Sequence, residues 1–337
     1  MISDAIGKLV IGKSLSTAEA AEVMNEIMSN EATPAQFGAF VTALRVKGET
    51  SEEIAGMAQT MRDKSVHVDV NGPLADTCGT GGDASGTFNI STTAGFVVAG
   101  AGIKVAKHGN RAMSGSCGSA DVLEALGVKI DLGADGVKRC LDEVGFGFMF
   151  AQVFHPSMRF AAGPRREIGV RTVFNILGPL TNPAGAQAQL IGVADPDVGK
   201  NMAAVLGRLG SSHVLIVHGR DGLDEISLGD ETQVWELEGG EVSSYVVTPE
   251  ELGFDRIGKD HLKVEGIEES VQTLREVLAG HHSPARDIVL ANAAGVLLAA
   301  DKVANLKDGV AMAAESIDRG RALSKLESLV KLSQKLE

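Results

Sequence analysis

The hydrophobic period of the chain changes near residue 70, and this restricts it to few folds. Before that point every strong signal is helical. Ser16-x-x-Glu19 precedes Ala20 to Met28, Thr33-Pro34-Ala35-Gln36 precedes Phe37 to Val46, and Thr50-x-x-Glu53 opens a third segment. Each pattern pairs a hydroxyl at the cap with a Glu or Gln three residues on, and Pro34 suits a first helical position. Phe37, Phe40, Val41 and Leu44 fall on one stripe, and Gly48 stops the second helix. Helices this short need something to pack on, and a second copy of the chain is one candidate.

Beyond residue 70 the pattern becomes strand, loop, helix. Ile103 to Ala106, Leu190 to Val193 and His213 to Val217 read as strands. Helices start at Ser119, at Asp195-Pro196 and at Ser283-Pro284. The alternation implies a mainly parallel sheet covered by helices, with ligands at the carboxyl ends of the strands. Gln233 to Leu237 and Val242 to Val247 read as a hairpin. A basic stretch broken by prolines, roughly 155–183, reads as an excursion back onto the helical module, and the last 30 residues read as charged surface helix. The expected division is a helical domain, 1–68, with 160–185 packing back onto it, and an α/β domain, 69–159 with 186–337.

Composition excludes several classes. A net charge of −13 over 337 residues argues against a backbone-driven nucleic-acid binder. Aromatics are 4% of the chain, so the core must be close-packed small residues. Cys78, Cys117 and Cys140 are too few and too scattered for a disulfide framework, and they fit a reducing cytoplasm. The first residues show no signal-peptide pattern, and no apolar run approaches membrane-spanning length.

Four clusters carry chemistry. The first is Asp76-Thr77-Cys78-Gly79-Thr80-Gly81-Gly82-Asp83, followed by Asn89-Ile90-Ser91-Thr92-Thr93 at the start of an apolar run, Ala94 to Ala101. Glycines let backbone N–H groups approach an anion, and a helix start adds unpaired N–H groups and a positive dipole end. The loop lacks the Lys of a P-loop and the third glycine of a dinucleotide fingerprint. A plain glycine turn with an Asp cap fits the glycines equally well. The second cluster is Lys107-His108-Gly109-Asn110-Arg111-Ala112-Met113-Ser114-Gly115-Ser116-Cys117-Gly118-Ser119, just past a strand. Lys107 and Arg111 can neutralise phosphate, and Ser119 can cap a helix. The third is Arg165-Arg166-Glu167 with Arg171 and Asn175; an arginine fork suits a carboxylate, while Glu167 and Arg171, four apart, suit a helical salt bridge. The fourth is Asp224-Glu225, adjacent carboxylates that suit Mg²⁺.

Taken in order and spacing, these clusters closely resemble the anthranilate phosphoribosyltransferases, over essentially the whole chain. The resemblance implies a small helical domain plus a large α/β domain, similar to the pyrimidine nucleoside phosphorylases, and a homodimer through the helical domain. It implies transfer of phosphoribosyl from 5-phosphoribosyl 1-pyrophosphate to anthranilate. By the resemblance, Gly79, Gly82, Asp83, Thr87, Asn89, Ile90, Ser91, Thr92, Lys107, His108, Gly109, Asn110, Arg111, Ala112, Met113, Ser114, Gly115 and Ser119 hold the donor. Asn110 and Arg165 hold anthranilate, with Gly79 touching both substrates. Ser91, Asp224 and Glu225 hold Mg²⁺, two ions per subunit. Stabilisation is expected to be electrostatic, with Lys107 facing the leaving pyrophosphate, and His108 stands as the one candidate base. Two rivals share the fold: a nucleoside phosphorylase, and a non-catalytic nucleic-acid-binding relative, which the acidic charge and the Asp224-Glu225 pair oppose.

Overall fold

The computed structural model describes residues 1–112 and 117–336. The chain opens with α1 (Ile2–Leu9), α2 (Thr17–Met28), α3 (Pro34–Lys47) and α4 (Ser51–Asp63). Ser16, Thr33 and Thr50 each accept from the N3 backbone N–H, and the N3 side chain returns the bond. Each box satisfies donors that a bare helix start leaves open, worth about 1 kcal/mol apiece. Gly48 ends α3 at φ +89, a conformation that L side chains resist. Phe37, Phe40, Val41 and Leu44 are all buried, as their stripe requires.

The α/β part follows: β1 (Leu74–Gly79), α5 (Ile90–Gly100), β2 (Lys104–Gly109), α6 (Ser119–Ala125), α7 (Ala134–Glu143), β3 (Phe146–Phe150), α8 (Ala151–Phe154), α9 (Arg159–Ile168), α10 (Phe174–Leu177), β4 (Ala188–Gly192), α11 (Gly199–Arg208), β5 (His213–Gly219), β6 (Thr232–Glu238), β7 (Glu241–Val247), α12 (Ile267–Leu278), α13 (Pro284–Ala299), α14 (Leu306–Asp318) and α15 (Arg321–Ser333). The seven strands form one sheet in the order β3-β2-β1-β4-β5-β6-β7. The first five in that order are parallel neighbours; β6 and β7 add an antiparallel edge hairpin. The order reverses between β1 and β4, so the helices that leave these strands diverge and open a crevice at their carboxyl ends. Gly79 pairs with Gly192 at that point.

The two sheet faces belong to different cores. Leu190, Leu215 and Val217 pack with α5 and α13 and with the C-terminal helices. Ile191, Val193, Val214 and Ile216 pack with the helical module and α11. The stretch between β3 and β4 joins this second core through Ala161, Val173, Phe174, Leu177 and Leu180. The rings of Phe37 and Phe174 lie 5.1 Å apart. The C-terminal helices are less peripheral than their charge suggests: Ala322, Leu326 and Leu329 of α15 are buried. A side chain on Gly100 of α5 would strike the Ala322 backbone, so that glycine lets the two helices meet. Among the described residues, no helix is long and apolar enough to cross a membrane.

Candidate active site

The crevice between β1 and β4 is roofed by the loop after β5. A Cβ on Gly79 would overlap the Asp224 carboxylate, and one on Gly192 would overlap the Asp224 backbone. Two paired glycines therefore let the 224–225 carboxylates descend onto the strand ends. Asp224 Oδ2 accepts from the Gly81 N–H at 2.8 Å, which joins the first and fourth clusters directly.

Helix α5 begins at Ile90, earlier than the apolar run starting at Ala94, so Ser91 and Thr92 stand in its first turn. Asn89 occupies the cap position without making a capping bond; it accepts from Thr92 Oγ1 at 2.8 Å and donates to the Cys117 carbonyl at 3.0 Å. Its side chain thus ties the helix start to the loop after β2. The positive dipole end points into the crevice, where an anion is stabilised. Thr87 sits in an isolated bridge with Lys263, which braces the loop ahead of α5.

Lys107 is buried on β2, donating to the Thr77 carbonyl at 2.6 Å and to Ser91 Oγ at 3.3 Å. Burial lowers its pKa, while Asp76 and Glu225 act to keep it charged. Burial pushes Asp224 up to about 7, helped by the neighbouring Asp83 carboxylate, with the Gly81 N–H opposing. Glu225 is raised further by burial and by Asp224, with Lys107 opposing. Carboxylates that strain to hold their charge in close company, beside the Ser91 hydroxyl, are hard oxygen donors fitted to a divalent cation such as Mg²⁺. Among the described residues, the acidic and histidine groups whose ligand atoms all fall within 4.8 Å are instead His213, Glu236 and Glu238. His213 lies at the start of β5, away from the carboxyl ends of the strands. Both its nitrogens are engaged, by Glu236 at 2.8 Å and Asp301 at 2.7 Å, which is the signature of a held imidazolium.

His108 is buried, and its pKa falls to about 3, first through burial and then through the neighbouring His155. The two rings lie 5.0 Å apart, and burial lowers His155 to about 4. A base needs a pKa near the working pH; a pair of buried neutral imidazoles, with His108 Nε2 and both His155 nitrogens unpartnered among the described residues, supplies packing instead.

Two residues depart from their sequence reading. Ser119 does not cap α6: Gly118 holds the cap position, and Asp121 takes the N–H groups of Gly118 at 2.9 Å and Ala112 at 3.1 Å. Ser119 Oγ donates to the Asn110 carbonyl at 3.4 Å, closing the loop on itself. Arg111 is paired with Asp121 and Glu124, each at 2.8 Å, and lies over the Phe150 ring. Its charge is therefore compensated by the carboxylates of α6 rather than held toward the crevice. Met113, Ser114 and Gly115 lie outside the described residues.

Arg165 stands near the end of α9, packed over the Phe174 ring at 5.5 Å, and burial lowers its pKa. The helical salt bridge expected between Glu167 and Arg171 is pre-empted because α9 ends at Ile168 and Gly169 turns into the left-handed region. Arg171 reaches the glycine loop and donates to the Gly81 carbonyl at 2.6 Å.

Sequence reasoning gave Asp76 and Asn182 no role. Asp76 is fully buried and accepts from the N–H groups of Thr77 at 2.8 Å and His108 at 3.3 Å, and from Asn182 Nδ2 at 2.8 Å. Asn182 also donates to the Ala106 carbonyl at 2.8 Å. Together they pin β1, β2 and the segment before β4. The available signals were an Asp inside an apolar strand and an Asn before Pro183, which also reads as an ordinary turn.

The glycosyl transferase family a/b domain matches residues 71–323, and the family's helical bundle domain matches residues 3–65. A protein of Dehalococcoides mccartyi named anthranilate phosphoribosyltransferase is 56% identical over 338 residues, covering 100% of this chain and 99% of its own. The crystal structure of the Thermus thermophilus anthranilate phosphoribosyltransferase superposes with a TM-score of 0.93 at 45% identity, over 98% of this chain and 99% of that one. The Saccharomyces cerevisiae enzyme in complex with PRPP and Mg superposes at 0.91 with 29% identity, over 99% and 98%.

Proposed function

The chain belongs to the anthranilate phosphoribosyltransferase family, and from that premise we propose how its own residues carry out the family's reaction. It transfers the phosphoribosyl group of 5-phosphoribosyl 1-pyrophosphate to the amine of anthranilate, releasing pyrophosphate, in tryptophan biosynthesis. The reaction uses Mg²⁺.

Cleaving the ribose C1–O bond leaves positive charge on the sugar and negative charge on the departing diphosphate. The useful assistance is therefore electrostatic. The observation that supports this reading best is the convergence on one crevice of the glycine loop, the start of α5, buried Lys107 and the Asp224-Glu225 pair. The backbone of Gly79, Gly82 and Asn89 to Thr92, together with Lys107, receives the donor. Ser91, Asp224 and Glu225 would hold two Mg²⁺ per subunit, which when bound neutralise developing charge on the diphosphate. Arg165 grips the anthranilate carboxylate and Asn110 orients the ring, so that the amine faces C1. Orientation matters more than activation, because an aromatic amine is nucleophilic enough toward an electron-poor sugar centre. Neutral His108 takes no proton.

Two further readings belong to this proposal. Residues 1–68 with 160–185 form a helical domain that closes over the α/β domain when both substrates bind. Two copies associate through that module, where Val10, Ile11 and Val46 are exposed at 66%, 66% and 84%. The direct test is the loss of anthranilate fluorescence. It must depend on both phosphoribosyl pyrophosphate and Mg²⁺; release of thymine from thymidine and phosphate, with no loss of anthranilate, would instead indicate a phosphorylase.

A further inference from the structure

Arg171 is an exposed arginine that the sequence offered either to an arginine fork for a carboxylate or to a helical salt bridge with Glu167, yet it reaches into the glycine loop. The Gly81 peptide is held from both sides. Its N–H donates to Asp224 at 2.8 Å, and its carbonyl accepts from Arg171 Nη1 at 2.6 Å. The guanidinium lies where a side chain on residue 82 would stand, so Gly82, at φ +79, is what admits it. Arg171 is itself fixed in a short turn between α9 and α10. Gly169 closes α9 in the left-handed region, and the Thr172 N–H donates to Asn175 Oδ1 at 2.9 Å. It lines a cleft of about 140 Å³ with Arg45, Thr80, Gly82 and Asp195, between the helical module and the loops of the sheet.

We infer that Arg171 is a positioning residue for the donor site: it sets the pitch of the glycine loop by holding the Gly81 carbonyl, and so orients the loop's N–H groups toward the diphosphate. A glycine loop has little conformational preference of its own, so its backbone direction must be imposed from outside. Asp224 imposes it on one side and Arg171 on the other. Arg171 lies on the segment that carries Arg165, so the acceptor-binding segment is tied to the donor loop by one hydrogen bond. This rests on the reading of the glycine loop as the donor site.

The test is steady-state kinetics of Arg171→Ala and Arg171→Lys at saturating Mg²⁺, varying each substrate in turn, at low and high KCl. Arg171→Ala is expected to raise the KM for phosphoribosyl pyrophosphate about fivefold or more. The anthranilate KM and kcat should stay within about twofold, and the thermal midpoint should be unchanged because the residue is exposed. Arg171→Lys, which keeps a donor for the carbonyl, should recover part of the loss. The ratio of donor KM between variant and wild type should persist at high salt, because the partner is a neutral carbonyl. A ratio that collapses with salt would mean that Arg171 grips the charged donor directly, and would overturn the inference. So would an unchanged donor KM in Arg171→Ala. A wild-type enzyme with no donor-dependent loss of anthranilate would instead overturn the proposed function.

Discussion

The N–H of Gly81 donates to Oδ2 of Asp224 at 2.8 Å across 143 residues of sequence. This bond makes the glycine loop and the carboxylate pair one structure. It forms because Gly79 and Gly192, paired across β1 and β4, leave room for the 224 loop to sit on the strand ends.

The first consequence concerns the carboxylates. Asp224→Asn with Glu225→Gln should lower Mg²⁺-dependent turnover by about a hundredfold or more. In the wild type the Mg²⁺ concentration for half-maximal rate should rise as pH falls from 8 to 6, because an Asp224 with a pKa of about 7 takes up a proton and cannot ligate. A double variant with full Mg²⁺-dependent turnover would contradict the assignment.

Arg165→Ala should raise the anthranilate KM about tenfold or more, from loss of a charged hydrogen-bond pair of about 1.5–3 kcal/mol. The donor KM should hold. An unchanged anthranilate KM would remove the carboxylate role.

His108→Ala should leave kcat within about fivefold. The wild-type pH–rate profile should show no limb from this residue above pH 5, since its pKa is about 3. Loss of kcat with both KM values intact would restore a base at this position.

His213 provides a stability test away from the site. Its pKa is raised to about 9, first by the bond to Glu236 and then by that to Asp301, against burial. A raised pKa means that the folded state binds the proton more tightly than the unfolded chain. The contribution is therefore complete below about pH 6.5 and fades as pH rises through 9. Asp301 is exposed, so solvent screening reduces the effect to about 1–2 kcal/mol. Denaturant unfolding of wild type and His213→Gln should show a gap at pH 6 that narrows by pH 9.5. A gap independent of pH would show that packing, not charge, is what the histidine contributes.

Local signals were legible wherever one residue decides a local geometry. The three capping boxes, Gly48, the Ser283-Pro284 helix start and the hairpin around Gly239-Gly240 all act within a few residues, and the structure realises each. The site clusters were legible for a related reason: glycines beside hydroxyls and cations are an unusual association. What stayed hidden depends on contacts between distant segments. Strand β3, Phe146–Phe150, is an uninterrupted buried run with no alternation to mark it. The Asp76–Asn182 bond spans 106 residues, and the pairing of Arg111 with Glu124 and of Arg171 with Gly81 depends on where helices end. No spacing rule predicts such partners.

The most direct test of the whole account is a crystal structure with phosphoribosyl pyrophosphate, Mg²⁺ and anthranilate bound together. The account predicts the diphosphate between the 79–92 and 107–119 segments, metal on Asp224 and Glu225, and the anthranilate carboxylate against Arg165. A donor lodged away from both segments would contradict it.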